Sequence, residues 1–205
     1  MTRLTTTHRP ISTLAGLALC AGIVFSALPA AAATAGSTAT VRNFYSTLLD
    51  TMRHGAQLGA RGRYAQLSPA VEQSFDMPFM TRLAVGPEWN SLTAAQQAQV
   101  TQAFERYIAA VYAERFDSYS GEQLTVTGET SSPAGTIITS QIVKSNGEPV
   151  HINYLMRDNK IADVYLNGTI SELATHRSEF GSILQTQGIN GLITALNNKA
   201  AALAS

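Results

Sequence analysis

The apolar positions of this chain fall into three regimes of spacing, and each regime predicts a different kind of element. Residues 37 to 56, STATVRNFYSTLLDTMRHGA, place Val41, Phe44, Tyr45, Leu48, Leu49 and Met52 at intervals of three and four, which is one face of a helix. Gly55 and Gly59 are expected to end it, and helical spacing resumes after Arg63, from Leu67 to Val71. Between Asp76 and Val85, Phe79, Met80, Leu83 and Ala84 share one side of a short helix. Gly86-Pro87 closes it, since glycine suits a helix exit and proline cannot continue the hydrogen-bond ladder. Thr93 and Gln96 have the spacing of a reciprocal cap and open the longest helix, roughly 93 to 117. Val100, Phe104, Tyr107, Ile108, Val111 and Tyr112 form its apolar stripe.

From Glu122 the period shortens to two. The runs EQLTVTGE, GTIITSQIVK, EPVHINYLMR and KIADVYLN read as four strands. Asn146-Gly147 joins the second to the third and Asp158-Asn159 the third to the fourth. With two central residues in each loop, Val143 faces Val150, Thr139 faces Tyr154 and Tyr154 faces Asp163. In the third run Val150, Ile152, Tyr154 and Met156 share one face and His151, Asn153 and Arg157 the other, with Leu155 interrupting. Helical spacing then returns at Leu173, Phe180, Ile183 and Leu184, and again beyond Gly188 at Ile189, Leu192, Ile193 and Leu196. The expected fold class is α+β: a four-stranded antiparallel meander covered on one face by N- and C-terminal helices.

The first residues change the domain picture. MTRLTTTHRP supplies Arg3, His8 and Arg9, the apolar run ISTLAGLALCAGIVFSALP follows, and small residues, AAAATAGS, come next. That order is the order of a secretory signal peptide, with cleavage near Ala33. Residues 1–33 are therefore expected to be a leader, 34–205 a single domain, and the location the periplasm. The one cysteine, Cys20, sits in the leader, so the mature domain must be held by its core rather than by disulfides. Charge adds an exclusion. The chain has 14 Lys+Arg and 14 Asp+Glu, so losing Arg3 and Arg9 leaves a small negative excess. No basic stripe interleaved with aromatics occurs, and nucleic acid is not expected as a partner.

Candidate chemistry is sparse. There is no G-x-S-x-G, no HExxH, no GxGxxG and no P-loop, and neither a metal nor a nucleotide cofactor is expected. His54, His151 and His176 remain after the leader. His151 belongs to the face of its strand opposite Tyr154, and His176 and Arg177 are expected on a solvated helix face. Tyr154 opposite Asp163 reads two ways. A carboxylate beside a phenol on a sheet facing a cavity can abstract a proton from a bound ligand, which makes a small-molecule enzyme one alternative. The same pair also reads as a cross-strand hydrogen bond that satisfies a half-buried carboxylate.

Three stretches then act together: MPFMTRLAVGPEWNSLTAAQQAQVTQAFERYIAAVYAERFDSYSGEQLTV, IADVYLNGTISELATHRSEF and EFGSILQTQGINGLITAL. With Leu83, Gly86 and Trp89 as L-x-x-G-x-x-W, and Tyr119 and Gly121 as Y-x-G, they resemble the MlaC-like periplasmic phospholipid-binding proteins, also called the toluene-tolerance family. Lys160-Ile161 stands where that family often has a tryptophan, and the variant is similar to the branch of hopanoid-producing bacteria. The resemblance implies a lipid carrier, not an enzyme. It would bind a phospholipid, or alternatively a hopanoid or other polycyclic lipid, and pass it between an outer-membrane lipoprotein complex and an inner-membrane ABC transporter complex. The sheet and helices are then expected to enclose an apolar cavity lined by Phe75, Met77, Phe79, Met80, Leu83, Phe104, Ile108, Val111, Val150, Ile152, Tyr154 and Tyr165. Methionines such as Met77 and Met80 suit mobile chains of varied length, being unbranched and polarizable, and equally suit gaps in a dry core.

Overall fold

The computed structural model describes Met1 and residues 30–205, with side chains from residue 36 onward. The expected leader, with Cys20, lies outside the described residues except for Met1 and Ala30 to Ala33, where the first helix is already formed. Helices α1 (Ala30–Arg53), α2 (Gly55–Ser74) and α3 (Met77–Val85) are followed by a 3₁₀ segment (Gly86–Ser91) and α4 (Ala94–Arg115). Strands β1 (Gln123–Ser132), β2 (Gly135–Val143), β3 (Pro149–Arg157), β4 (Lys160–Leu166) and β5 (Ile170–Ser171) lead into α5 (Glu172–Leu203). The strands pair antiparallel in the order β1-β2-β3-β4-β5. The architecture is the expected α+β meander, with a fifth, two-residue strand added where the chain turns from β4 into α5.

Local chemistry accounts for most boundaries. Thr93 and Gln96 form the reciprocal cap of α4. The Asp76 carboxylate accepts the Phe79 amide at the start of α3, and Gly86, at φ 77°, ends that helix. Gly59 and Gly188, at φ 60° and 65°, break α2 and α5 internally. The expected break at Gly188 is thus observed. At Gly59, by contrast, the helix kinks and goes on; α2 already begins at Gly55, well ahead of the restart expected after Arg63.

The strand register corrects all three expected residue pairings. The turn from β2 to β3 has three residues, Ser145-Asn146-Gly147, with Gly147 at φ 84° and its amide donating to the Lys144 carbonyl at 2.9 Å. The extra residue slides the ladder by one, so Val143 faces Pro149 and Tyr154 faces Ile138 rather than Thr139. Burial agrees with this choice, since Ile138 and Tyr154 are both core residues on the inner face. At Asp158-Asn159 both residues have positive φ, 48° and 62°, and the expected two-residue turn forms, with Arg157 facing Lys160. A bulge near Ala162 then shifts β4, which puts Asp163 opposite Leu155 and Val164 opposite Tyr154. Tyr154 and Asp163 therefore occupy opposite faces of the sheet, and the expected pair does not form.

The core lies between the inner sheet face and the helices. Val41, Phe44, Tyr45 and Leu48 of α1, Phe104 of α4, and Phe180, Leu192 and Leu196 of α5 are buried there. A Cβ on Gly55 would lie 1.9 Å from the Asp117 carbonyl oxygen, whereas one on Gly181 in α5 meets nothing within 4 Å. Gly55→Ala is expected to destabilise the fold by about 1–3 kcal/mol through this backbone clash. Gly181→Ala should instead stabilise it by roughly 0.5–1 kcal/mol, as alanine does in a helix interior. Chemical denaturation of the two variants checks both signs.

Candidate functional site

A cavity of about 180 Å³ lies between the inner sheet face and α4. Its floor is Ile152 and Tyr154 of β3 with Val164 and Leu166 of β4, and its roof is Ile108, Val111 and Tyr112 of α4. Phe75 and Met80 close the side toward α2 and α3. Rings of α1 brace the aromatic side chains of the cavity wall edge-on. Phe44 contacts Phe75 and Tyr112 at centroid distances of 5.2 and 5.0 Å, with interplanar angles of 79° and 90°. Tyr45 meets Tyr154 at 5.9 Å in the same manner. Alanines at 109, 110 and 113 are buried, and their small size lets α4 lie close against neighbouring helices, while Ile108, Val111 and Tyr112 line the cavity.

The polar atoms in this wall are satisfied from behind. Ser140 donates to the Ile152 carbonyl, and the Tyr45 hydroxyl, 2.6 Å away, donates to Ser140. Burial raises the Tyr154 and Tyr112 phenols above the ordinary tyrosine range, so both rings stay neutral. Charge appears only at the mouth. There Arg115 and Glu172 approach to 3.9 Å, and burial raises Glu172 above the usual carboxylate value, with Arg115 opposing.

His176 also lines the cavity and corrects its placement on a solvated face. It is 8% exposed and wedged among Phe104, Tyr107 and Phe180. Its Nδ1 is the one buried side-chain polar atom without a hydrogen-bond partner among the described residues, and lies 3.8 Å from Glu179. No run of alternation or motif marks this histidine; it sits one helical turn beyond Glu172 and three residues from Leu173, and only that spacing points inward.

Six of the twelve residues expected to contact lipid are brought together here: Phe75, Met80, Ile108, Val111, Ile152 and Tyr154. Met77 and Phe104 are core residues that do not line the cavity, and Val150 is half-buried and packed against the core. Phe79, Leu83 and Tyr165 line a second concavity on the outer sheet face, shared with Leu155, Asp163 and Leu173. Tyr165 is on that face because it alternates with Val164, so it does not join Tyr154. Arg157 covers the Phe79 ring at 4.1 Å. Asp163 is spent on structure: it accepts the Val164 and Leu173 amides and the Ser171 hydroxyl, locking the start of α5 to β4. Among the described residues no cluster of three His, Cys, Asp or Glu side chains is arranged to hold a metal, and no helix is long and apolar enough to cross a membrane.

The model of the MlaC protein family matches residues 42–198, and the chain belongs to that family. Among solved structures, it is similar to a phospholipid-binding protein from Ralstonia solanacearum in complex with a phospholipid. That likeness has a TM-score of 0.69 at 21% identity and covers 82% of this chain and 99% of the other. The two share the fold.

Burial, the largest influence, lowers the His176 pKa below its ordinary 6.5, with Glu179 opposing and Lys199 and Arg115 reinforcing. The unfolded chain therefore binds this proton before the folded one does. The contribution is complete above the ordinary pKa and is lost as pH falls toward the folded value. Stability should decline from about pH 7 to about pH 5 more steeply in the wild type than in His176→Phe, whose ring suits the aromatic surroundings. Denaturation midpoints across that range measure the difference.

Proposed function

We propose that the protein is a periplasmic lipid carrier that holds phospholipid acyl chains in the cavity under the sheet. In this reading it shuttles lipid between outer- and inner-membrane complexes of an ABC transport system. Membership of the MlaC family supports it, as does a fold shared with a protein described as phospholipid-binding. The observation that carries it is an apolar hollow walled by neutral rings and branched aliphatics, with charge confined to its mouth. Two acyl chains of roughly 30 methylenes left in water cost on the order of 24 kcal/mol at ~0.8 kcal/mol per CH₂, so a carrier gains by enclosing them. No bond needs to be made or broken, and the absence of the Tyr154–Asp163 pair removes the motive for the enzymatic alternative.

Size sets a condition on this function. A hollow of about 180 Å³ is below the several hundred Å³ typical of ligand sites. The described conformation is therefore a closed one, and loading requires the sheet and α4 to separate.

Protein purified without detergent and extracted with organic solvent should release close to one phospholipid per chain, read by mass spectrometry. A hopanoid in its place would favour the polycyclic alternative, and empty protein that refuses added lipid would remove the carrier reading. Val111→Trp places an indole in the hollow and should cut bound lipid at least about fivefold, as a clash of about 1–3 kcal/mol with the ligand implies. Thermal unfolding of the same sample establishes that the fold is retained.

A further inference from the structure

The hollow has an apolar end and a charged end. Along β4 the chain passes from Ile161, with which Phe75 forms a bridge, through Val164 and Leu166 of the floor and on to Glu172 at the mouth. From Ile161 to Leu166 the strand covers about 16 Å at ~3.3 Å per residue. An extended alkyl chain advances about 1.2 Å per bond, as an extended backbone does, so a tail of about 14 carbons that enters at the mouth already reaches Phe75.

Phe75 is placed so that it does not yield. Its amide donates to the Val71 carbonyl at 2.9 Å, and the next amide, that of Asp76, donates to the Ile161 carbonyl at 2.8 Å. The Asp76 carboxylate then accepts the Phe79 amide at 3.2 Å. The main chain is thus tied to α2, β4 and α3 within two residues. The ring is 2% exposed, meets Phe44 edge-on at 5.2 Å and lies tilted against Tyr112 at 5.8 Å, so displacing it displaces two further rings in a close-packed interior. Met80 closes the same end, but its unbranched thioether changes rotamer easily. Separating the sheet from α4 widens the hollow without lengthening it, because Phe75 is bridged to Ile161 and travels with the strand.

Resting on the carrier reading, we propose that Phe75 is a fixed backstop that sets the longest acyl chain the hollow encloses. A methylene for which there is no room stays in water at the mouth. Relative to the bilayer it left, each such methylene lowers uptake on the order of fourfold.

The test is a competition among chain lengths. The protein, stripped of lipid, is equilibrated with vesicles of equal dimyristoleoyl, dipalmitoleoyl, dioleoyl and dieicosenoyl phosphatidylglycerol, re-isolated, and its lipid quantified by mass spectrometry. Wild-type protein should take the dimyristoleoyl over the dioleoyl lipid at least about tenfold. Phe75→Ala should lower that ratio at least about fourfold, the weight of one methylene. Phe75→Leu should shift it the same way by less while keeping an apolar side chain in the core, and thermal unfolding reports whether each variant is folded. Phe79→Ala, four residues on and facing the outer concavity, should leave the wild-type ratio unchanged. Uptake by the wild type that does not depend on chain length overturns the backstop and needs no variant. A profile unchanged in the folded Phe75 variants, or shifted equally by Phe79→Ala, overturns it too. Each of these results leaves the carrier reading intact, whereas failure to load any of the four lipids overturns both.

Discussion

Edge-on packing of aromatic rings is the constraint on which the rest of this structure depends. Phe44, set into α1, holds Phe75 and Tyr112 at near-perpendicular angles, and Tyr45 does the same for Tyr154. Through these contacts α1 fixes the positions of Phe75, of Tyr112 on α4 and of Tyr154 on β3, three of the rings that bound the hollow. Phe75, Tyr112 and Tyr154 are at once struts of the core and walls of the hollow. Elsewhere the packing is close: alanines bring α4 against its neighbours, and Ile138, Ile161 and Met156 fill the sheet end of the core. The cavity is thus a local exception in an otherwise dense interior.

This arrangement separates two tasks that residues 75–89, FDMPFMTRLAVGPEW, perform together. Phe75 and Met80 look into the hollow, Met77 fills the core beneath, and Phe79 and Leu83 turn to the outer concavity. One nine-residue helix with a hydrophobic residue on nearly every side is therefore shared between two surfaces and the core. Moving the sheet relative to α4 would change the first surface, and α3 would accompany whichever side it holds more firmly. The neutral tyrosines matter for such a movement, because separating them exposes no buried charge.

Much of the fold was legible in the chain because its signals are local. The Thr93–Gln96 cap, the Gly86-Pro87 stop and the alternation of β3 each depend on residues a few positions apart, and each is observed. Register was less legible. Asn146-Gly147 marks a turn in either a two- or a three-residue loop, and the choice is made by whether Tyr154 meets Ile138 or Thr139 across the sheet. The bulge near Ala162 has no sequence mark, yet it carries Asp163 away from Tyr154 and dissolves the one pairing that suggested catalysis. Half of the expected contact residues face the hollow because helix and strand periodicity identify a buried face, and a buried face is not the same as a cavity wall. His176 was misplaced for a related reason: its neighbours Arg177 and Ser178 are polar, and only the aromatic box from α4 makes its side of the helix an interior one.

The account stands or falls on which concavity receives hydrocarbon. A phospholipid with a diazirine in its acyl chain, loaded and then photolysed, marks the side chains that its tails touch, and peptide mass spectrometry locates the marks. Labels are predicted on α4 around Ile108 to Tyr112 and on β3 at Ile152 and Tyr154. Labels concentrated instead on Phe79, Leu83 and Tyr165, on the outer face of the sheet, would contradict it.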